Sequence, residues 1–221
     1  MNDINVNVYE KSIKCPVCEK ETKIQAPKKG SYRPVKKDSD LMQNYEGINP
    51  LFYEIDFCNE CGYAALPDYF NKIKQNEIDL VKSSISLKWE KNIYQDEYSV
   101  EDAIRQHKLA LLNAMVKKSL LGEQALICLK LSWLYRINNE KAKEKRFQEQ
   151  AILGFETAYQ SERLPIGGLD EWNLLYVMGE LYRRIGDKDK SLALFSKVMV
   201  SSQASSKLKD MIRDVKDLMM E

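Results

Sequence analysis

Cys15-Pro-Val-Cys18 and Cys58-Asn-Glu-Cys61-Gly62 constrain this chain more than any other feature. A tetrahedral Zn2+ needs four ligands at a Zn–S distance of about 2.3 Å, and a two-residue gap lets one tight turn aim two sulfurs at one point. Two such turns make a closed four-thiolate site, which fixes how the surrounding chain folds. Gly62 supplies a residue free to take positive φ directly after Cys61. Residues 19–57, a 39-residue spacer, separate the two pairs. That exceeds the usual gap between the halves of a four-cysteine zinc site, so an inserted loop is expected between them. The same donor set can also hold iron in a rubredoxin-like centre. There each pair is usually followed by Gly, whereas Glu19 follows the first one here. With four protein ligands no position is left for water or substrate, so a structural metal is expected rather than a catalytic one.

The compartment bears on this reading, because disulfides are the competing use of paired cysteines. The N-terminal residues lack the basic and apolar regions of a signal peptide, and no apolar run approaches a membrane span. A cytoplasmic location without membrane association is the expectation. In a reducing compartment the four cysteines favour metal over two disulfides. The fifth, Cys128, falls at a core position of a predicted helix and reads as a small buried hydrophobe.

Two halves follow from the punctuation. Five of the six prolines (Pro16, Pro27, Pro34, Pro50 and Pro67) lie in the first 80 residues. Alternating apolar residues there, Ile4/Val6/Val8 and Tyr53/Ile55/Phe57, predict half-buried strands. Beyond residue 76 only Pro165 remains, and the apolar period becomes helical. Val100, Ala103, Ile104, His107, Leu111 and Ala114 share one face; Leu208, Met211, Ile212, Val215, Leu218 and Met219 share another. Further helices are expected over 122–138, 140–161, 171–185 and 188–201. The segment 77–91, with Ile78, Val81, Ile85 and Trp89, is ambiguous. The expected organisation is a zinc-ribbon-like module at 1–75 and a helical-hairpin domain at 76–221, an α+β chain that is mainly α.

Residues 172–203 fit the tetratricopeptide pattern of paired helices. Leu175, Met178, Gly179 and Tyr182 match the first helix, Gly186-Asp187 the turn, and Ser191, Phe195 and Val198 the second. An earlier pair matches through Cys128, Leu131, Ser132, Tyr135, Ala151, Phe155 and Ala158, with seven residues inserted. Seven residues are about two helical turns, so both apolar faces stay in phase. A plain α-bundle is the alternative. On the repeat reading, Asn173, Tyr176, Glu180, Arg183 and Arg184 face a partner-binding groove, where guanidinium groups would pair with carboxylates of an acidic peptide. A solvated helix face is the bland alternative.

The near-neutral balance of 34 Lys+Arg against 33 Asp+Glu, net +1, argues against a whole-protein field for nucleic acid or anionic membranes. It conceals an asymmetry. Residues 11–37 hold nine basic residues (Lys11, Lys14, Lys20, Lys23, Lys28, Lys29, Arg33, Lys36, Lys37) against Glu19 and Glu21, a local +7. Residues 38–79 hold nine acidic residues against Lys72 and Lys74, a local −7. The basic run, with Tyr32, is a candidate nucleic-acid surface; the alternative is a loop whose charge the acidic segment cancels.

Cys-Pro-Val-Cys, Tyr32-Arg33-Pro34, Asp38-Ser39-Asp40-Leu41, Tyr45, Asn49-Pro50 and the run from Tyr53 to Ala65 together resemble the bacterial family called domain of unknown function 2225. So do Gly179 to Asp187 and Phe195-Ser196-Lys197-Val198. The resemblance implies a zinc-ribbon-like N-terminal part and a helical-repeat C-terminal part; it implies no activity. No nucleophile elbow, P-loop or dinucleotide fingerprint is present in the sequence. His107, the single histidine, sits on an apolar stripe and is expected to pack rather than react. The resulting expectation is a zinc-binding, non-enzymatic interaction or adaptor protein with a protein or peptide partner on its helical part. A nucleic-acid-binding zinc ribbon is the alternative, and an iron electron-transfer protein the second.

Overall fold

The computed structural model describes residues 7–94, 96–217 and 219. Three antiparallel hairpins open the chain. β1 (Val8–Lys14) pairs with β2 (Glu21–Pro27), β3 (Tyr32–Lys37) with β4 (Gln43–Gly47), and the two-residue β5 (Asp56–Phe57) with β6 (Ala64–Ala65). Eight helices follow among the described residues: α1 (Pro67–Phe70), α2 (Gln75–Ser84), α3 (Val100–Val116), α4 (Leu121–Ile137), α5 (Lys141–Ser161), α6 (Glu171–Ile185), α7 (Lys188–Val200) and α8 (Ser206–Asp217). The architecture is α+β and mainly α.

Local sequence explains most boundaries. Ser99 and Asp102 form a reciprocal capping box at the start of α3. Asp170 and Asp187 cap α6 and α7 through the backbone N–H groups of Asn173 and Lys190. Gly186 ends α6 with φ +98°, a left-handed conformation that Gly adopts without a Cβ penalty. The expected strand at Tyr53/Ile55/Phe57 survives only at its end, where Phe57 belongs to β5, and is corrected at Tyr53. Residues Pro50–Tyr53 form a 3-10 turn, because the Asn49 side chain accepts from Leu51 N–H and Pro50 presets the first helical φ. Ile55 and Phe57 are nonetheless buried. In the expected N-terminal strand Ile4 and Val6 lie outside the described residues, as does Leu218 of the last helix. The ambiguous 77–91 segment resolves into α2 and a short 3-10 turn at Ser86–Lys88.

Successive helices pack on one another from α3 to α7, and α8 closes against α6 and α7. Gly179 of α6 faces Phe195 of α7 so closely that a Cβ there would lie 2.8 Å from the ring. A continuous core runs through α4 to α8, and Cys128 belongs to it. A second core joins Ile24, Leu51, Ile55, Phe57 and Leu66 to α3 and α4, so the cysteine-bearing hairpins and the helices share buried surface. A third surrounds the cysteines and includes Val81 of α2. α4 is buried on both flanks, which is why its apolar residues encircle it rather than forming one stripe.

Candidate metal centre

Both Cys-x-x-Cys pairs occupy hairpin tips, and the two tips repeat one turn. Between β1 and β2, Glu19 N–H donates to Cys15 C=O at 2.9 Å and Cys15 N–H to Lys20 C=O at 3.0 Å. Between β5 and β6, Gly62 N–H donates to Cys58 C=O at 2.9 Å and Cys58 N–H to Tyr63 C=O at 2.7 Å. The residue after each second cysteine is left-handed, Glu19 at φ +61° and Gly62 at φ +76°. Glu19 therefore takes the conformation expected of Gly, at a steric cost of roughly 1 kcal/mol.

The tips bring all four sulfurs to within 4.8 Å of one another. Two pairs of sulfurs meet across the tips: Cys15 Sγ lies 3.6 Å from Cys61 Sγ, and Cys18 Sγ 3.6 Å from Cys58 Sγ. A tetrahedron with metal–sulfur bonds of about 2.3 Å has edges of about 3.8 Å, so the spacing suits one four-coordinate ion. Cys15 and Cys58 are fully buried, Cys61 is buried and Cys18 is half-buried. Val17 N–H points at Cys15 Sγ from 3.4 Å, as a backbone donor does toward thiolate. Crowding divides the acidity of the set. Hydrogen bonding with Cys15 draws the Cys58 thiol down to about 2, while Cys58 in turn pushes Cys15 up to about 12. Cys61 is driven up as well, by its bonds with Cys15 and Cys58. The cluster shares protons that a soft divalent cation would displace.

A shell missed by local sequence patterns holds the second tip. Trp89 lies over Gly62, where a Cβ would meet its ring at 2.6 Å, and Trp89 Nε1 donates to Asn59 C=O at 2.9 Å. Asn59 exchanges two hydrogen bonds with the Asn92 backbone, at 2.8 and 3.0 Å. Buried Asn113 on α3 donates to Gly62 C=O at 2.9 Å. The Asn residues gave no signal, and Trp89 read as part of a helical face. Only the spatial return of the chain over 30 to 51 residues assembles them.

The expected open groove at Asn173, Tyr176, Glu180, Arg183 and Arg184 is corrected. Tyr176 and Glu180 are fully buried, and Asn173 bonds Asp170 of its own cap. The chain's own loop 38–42 lies across this face. Tyr176 Oη donates to Ser39 C=O at 2.6 Å, and Ser39 Oγ donates to Glu180 Oε1 at 2.6 Å. Arg183 and Arg184 both bond Glu180, and Arg184 Nη2 also reaches Ser39 Oγ at 3.0 Å. The physical reason is that the loop covers Tyr176 and Glu180, and Glu180, on the same helix, accepts from both guanidinium groups; Arg183 and Arg184 remain half-buried at the edge of that cover.

Within the basic run, Lys11 pairs with Asp56, Lys20 with Glu60, Lys23 with Glu10 and Arg33 with Glu46. Three of those carboxylates belong to the acidic segment that follows. His107 is fully buried, its Nδ1 donating to Ala103 C=O at 2.8 Å, and burial depresses its pKa to about 3. Burial pushes the Cys128 thiol up to about 12. Among the described residues no helix is long and apolar enough to cross a membrane.

No curated protein and no solved structure matches the chain. A family model described as an uncharacterised protein conserved in bacteria, DUF2225, matches residues 8–219. That match takes in both cysteine turns and all of the described helices, and the chain therefore belongs to the DUF2225 family.

Proposed function

We propose that this protein is a zinc-stabilised, non-catalytic adaptor: one structural Zn2+ held by Cys15, Cys18, Cys58 and Cys61 locks the hairpin module onto a tetratricopeptide-like helical stack that engages a partner protein. The observation that carries the reading is the enclosure of four sulfurs, two from each tip, with cross-tip spacings of 3.6 Å. All four positions of a tetrahedral ion are then filled by protein, which leaves no place for water or substrate. Bound metal would neutralise the crowded thiolates and supply folding free energy to hairpins too short to be stable alone. The shared core between hairpins and α3–α4 supports a scaffold role. The reading places the protein in the cytoplasm, where reduced thiols persist.

Affinity recovery from a bacterial extract tests the adaptor role. The full chain should retain a reproducible partner in near-equal amount, and repeated recovery of none would contradict it. A nucleic-acid role for residues 11–37 is the second reading, favoured by the complete exposure of β3 with Tyr32, Arg33, Lys36 and Lys37. The ion pairs of Lys11, Lys20, Lys23 and Arg33 weigh against it. Labelled oligonucleotides at low and moderate salt discriminate the two, since phosphate binding carries a steep salt slope. An iron centre with the same four ligands is distinguished by metal analysis.

A further inference from the structure

A cavity of about 450 Å³ opens beside the loop that covers α6. Lys36 and Lys37 at the end of β3 line one side, Arg183 and Arg184 of α6 another, and Met211 and Val215 of α8 supply apolar wall. We infer that this cavity binds an acidic segment of a partner protein, with carboxylates on the four cations and an adjoining apolar side chain on α8. The inference rests on the adaptor reading and gives the partner its chemistry.

The hydrogen bonds around the cavity support it. Glu180, fully buried, accepts from Arg183 Nε and Nη2 and from Arg184 Nε at 2.7 to 2.9 Å, which fixes both guanidinium planes. Among the described residues, Nη1 of each arginine has no acceptor, and neither Lys36 nor Lys37 has a carboxylate partner. Of the two lining carboxylates, Asp38 is committed to Arg136 at 3.2 Å and Asn44 at 2.9 Å, and Asp214 of α8 contributes the one other negative charge to the lining. These groups leave more donors than uncommitted acceptors along the cavity, and an acceptor-rich ligand would take up donors that otherwise face solvent.

A peptide, rather than a small anion, is favoured by what already lies on this surface. Tyr176 receives a backbone carbonyl from Ser39, Arg184 binds the Ser39 hydroxyl, and the Asp40 carboxylate sits 3.6 Å from Arg184. The loop shows how acidic backbone is read here, and the cavity continues the same surface with unused donors. β3 is closed to strand addition by Pro34, the bulge at Pro34/Lys36 and its lysines, which leaves side-chain recognition as the mode of contact.

The test is a titration of the full-length, isotope-labelled protein with a hexapeptide of alternating Asp and Leu, followed by NMR. Saturable shifts should appear at the Arg183 and Arg184 Nε–H groups and at the amides of residues 36–39. They should be absent with the Asn-Leu counterpart and weakened at least tenfold in Lys36→Glu/Lys37→Glu. Shifts that are absent at these groups, or equal with the Asn peptide, would overturn the inference on the unmodified protein alone. Shifts unchanged in the double variant, or matched by inorganic phosphate, would do the same. Failure here, with a partner still recovered from extract, removes this site and leaves the adaptor reading; failure to recover any partner removes that reading.

Discussion

The carboxylate of Asp40, fully buried, accepts from Arg136 Nη1 at 3.1 Å and Nη2 at 2.5 Å, fastening the loop after β3 to the end of α4. Trp133 Nε1 donates to the same carboxylate at 3.1 Å. Burial works to raise the Asp40 pKa, but the Arg136 hydrogen bond and the charges of Arg184 and Arg136 outweigh it, and the net shift is downward. Arg136 reaches Asp38 and Glu144 as well, so one guanidinium joins loop, α4 and α5.

Asp40→Asn should therefore lower unfolding stability by about 3 kcal/mol at neutral pH, the scale for breaking a buried pair from one side. The folded-state pKa is depressed, so this stability is complete above the ordinary carboxylate range and is lost as pH falls through the folded value. Urea unfolding should show the gap between the two proteins at pH 7 and its closure in strong acid.

Asn113→Ala removes the donor that holds Gly62 C=O from α3. Helix content should be unchanged by circular dichroism, while competition with a chelator should show metal held at least tenfold more weakly, as loss of supporting contacts does at other metal sites. Unaltered retention would show that Trp89 and Asn59 suffice to position the tip.

His107 is pushed down to about 3 by burial, with a smaller contribution from the nearby Lys130 charge; its Ala103 hydrogen bond opposes both. Unfolding frees the ring to take a proton below its ordinary value of 6.5. Stability is thus intact above that pH and declines as pH falls toward the folded value, by about 1.4 kcal/mol per unit. His107→Asn, whose amide can also donate to Ala103, should lack this slope in denaturant midpoints compared at pH 7 and pH 5.

Gly179→Ala gains about 1 kcal/mol of helix propensity but drives a methyl to within 2.8 Å of the fully buried Phe195 ring. Overpacking should dominate, with a net loss of about 1 kcal/mol in thermal or urea unfolding. Restoration on adding Phe195→Leu would identify the ring contact as the cause.

What could be read from the sequence was what short spacing encodes. Cys15/Cys18 and Cys58/Cys61 announced two turns that share a target, and the 3.6-residue period placed α4 to α7 close to their observed limits and marked apolar faces on α3 and α8. Tyr53/Ile55/Phe57 misled at Tyr53 and held at Phe57, because alternation over three positions is weaker evidence than the Asn49-Pro50 capping signal just before it. The loop carrying Asp40 was invisible for a different reason: its partners Trp133, Arg136 and Arg184 lie far along the chain, and no local period relates them. The support of the second cysteine tip by Asn59, Trp89, Asn92 and Asn113 was hidden in the same way. Glu19 shows the converse, a residue taking a glycine-like conformation because the Cys-x-x-Cys turn demands it.

Metal analysis of the purified full-length protein tests the four-thiolate centre most directly. One zinc per chain is expected, lost together with stability when Cys58 and Cys61 are both changed to Ser. Stoichiometric iron with a red colour, or a fully folded protein that carries no metal, would contradict it.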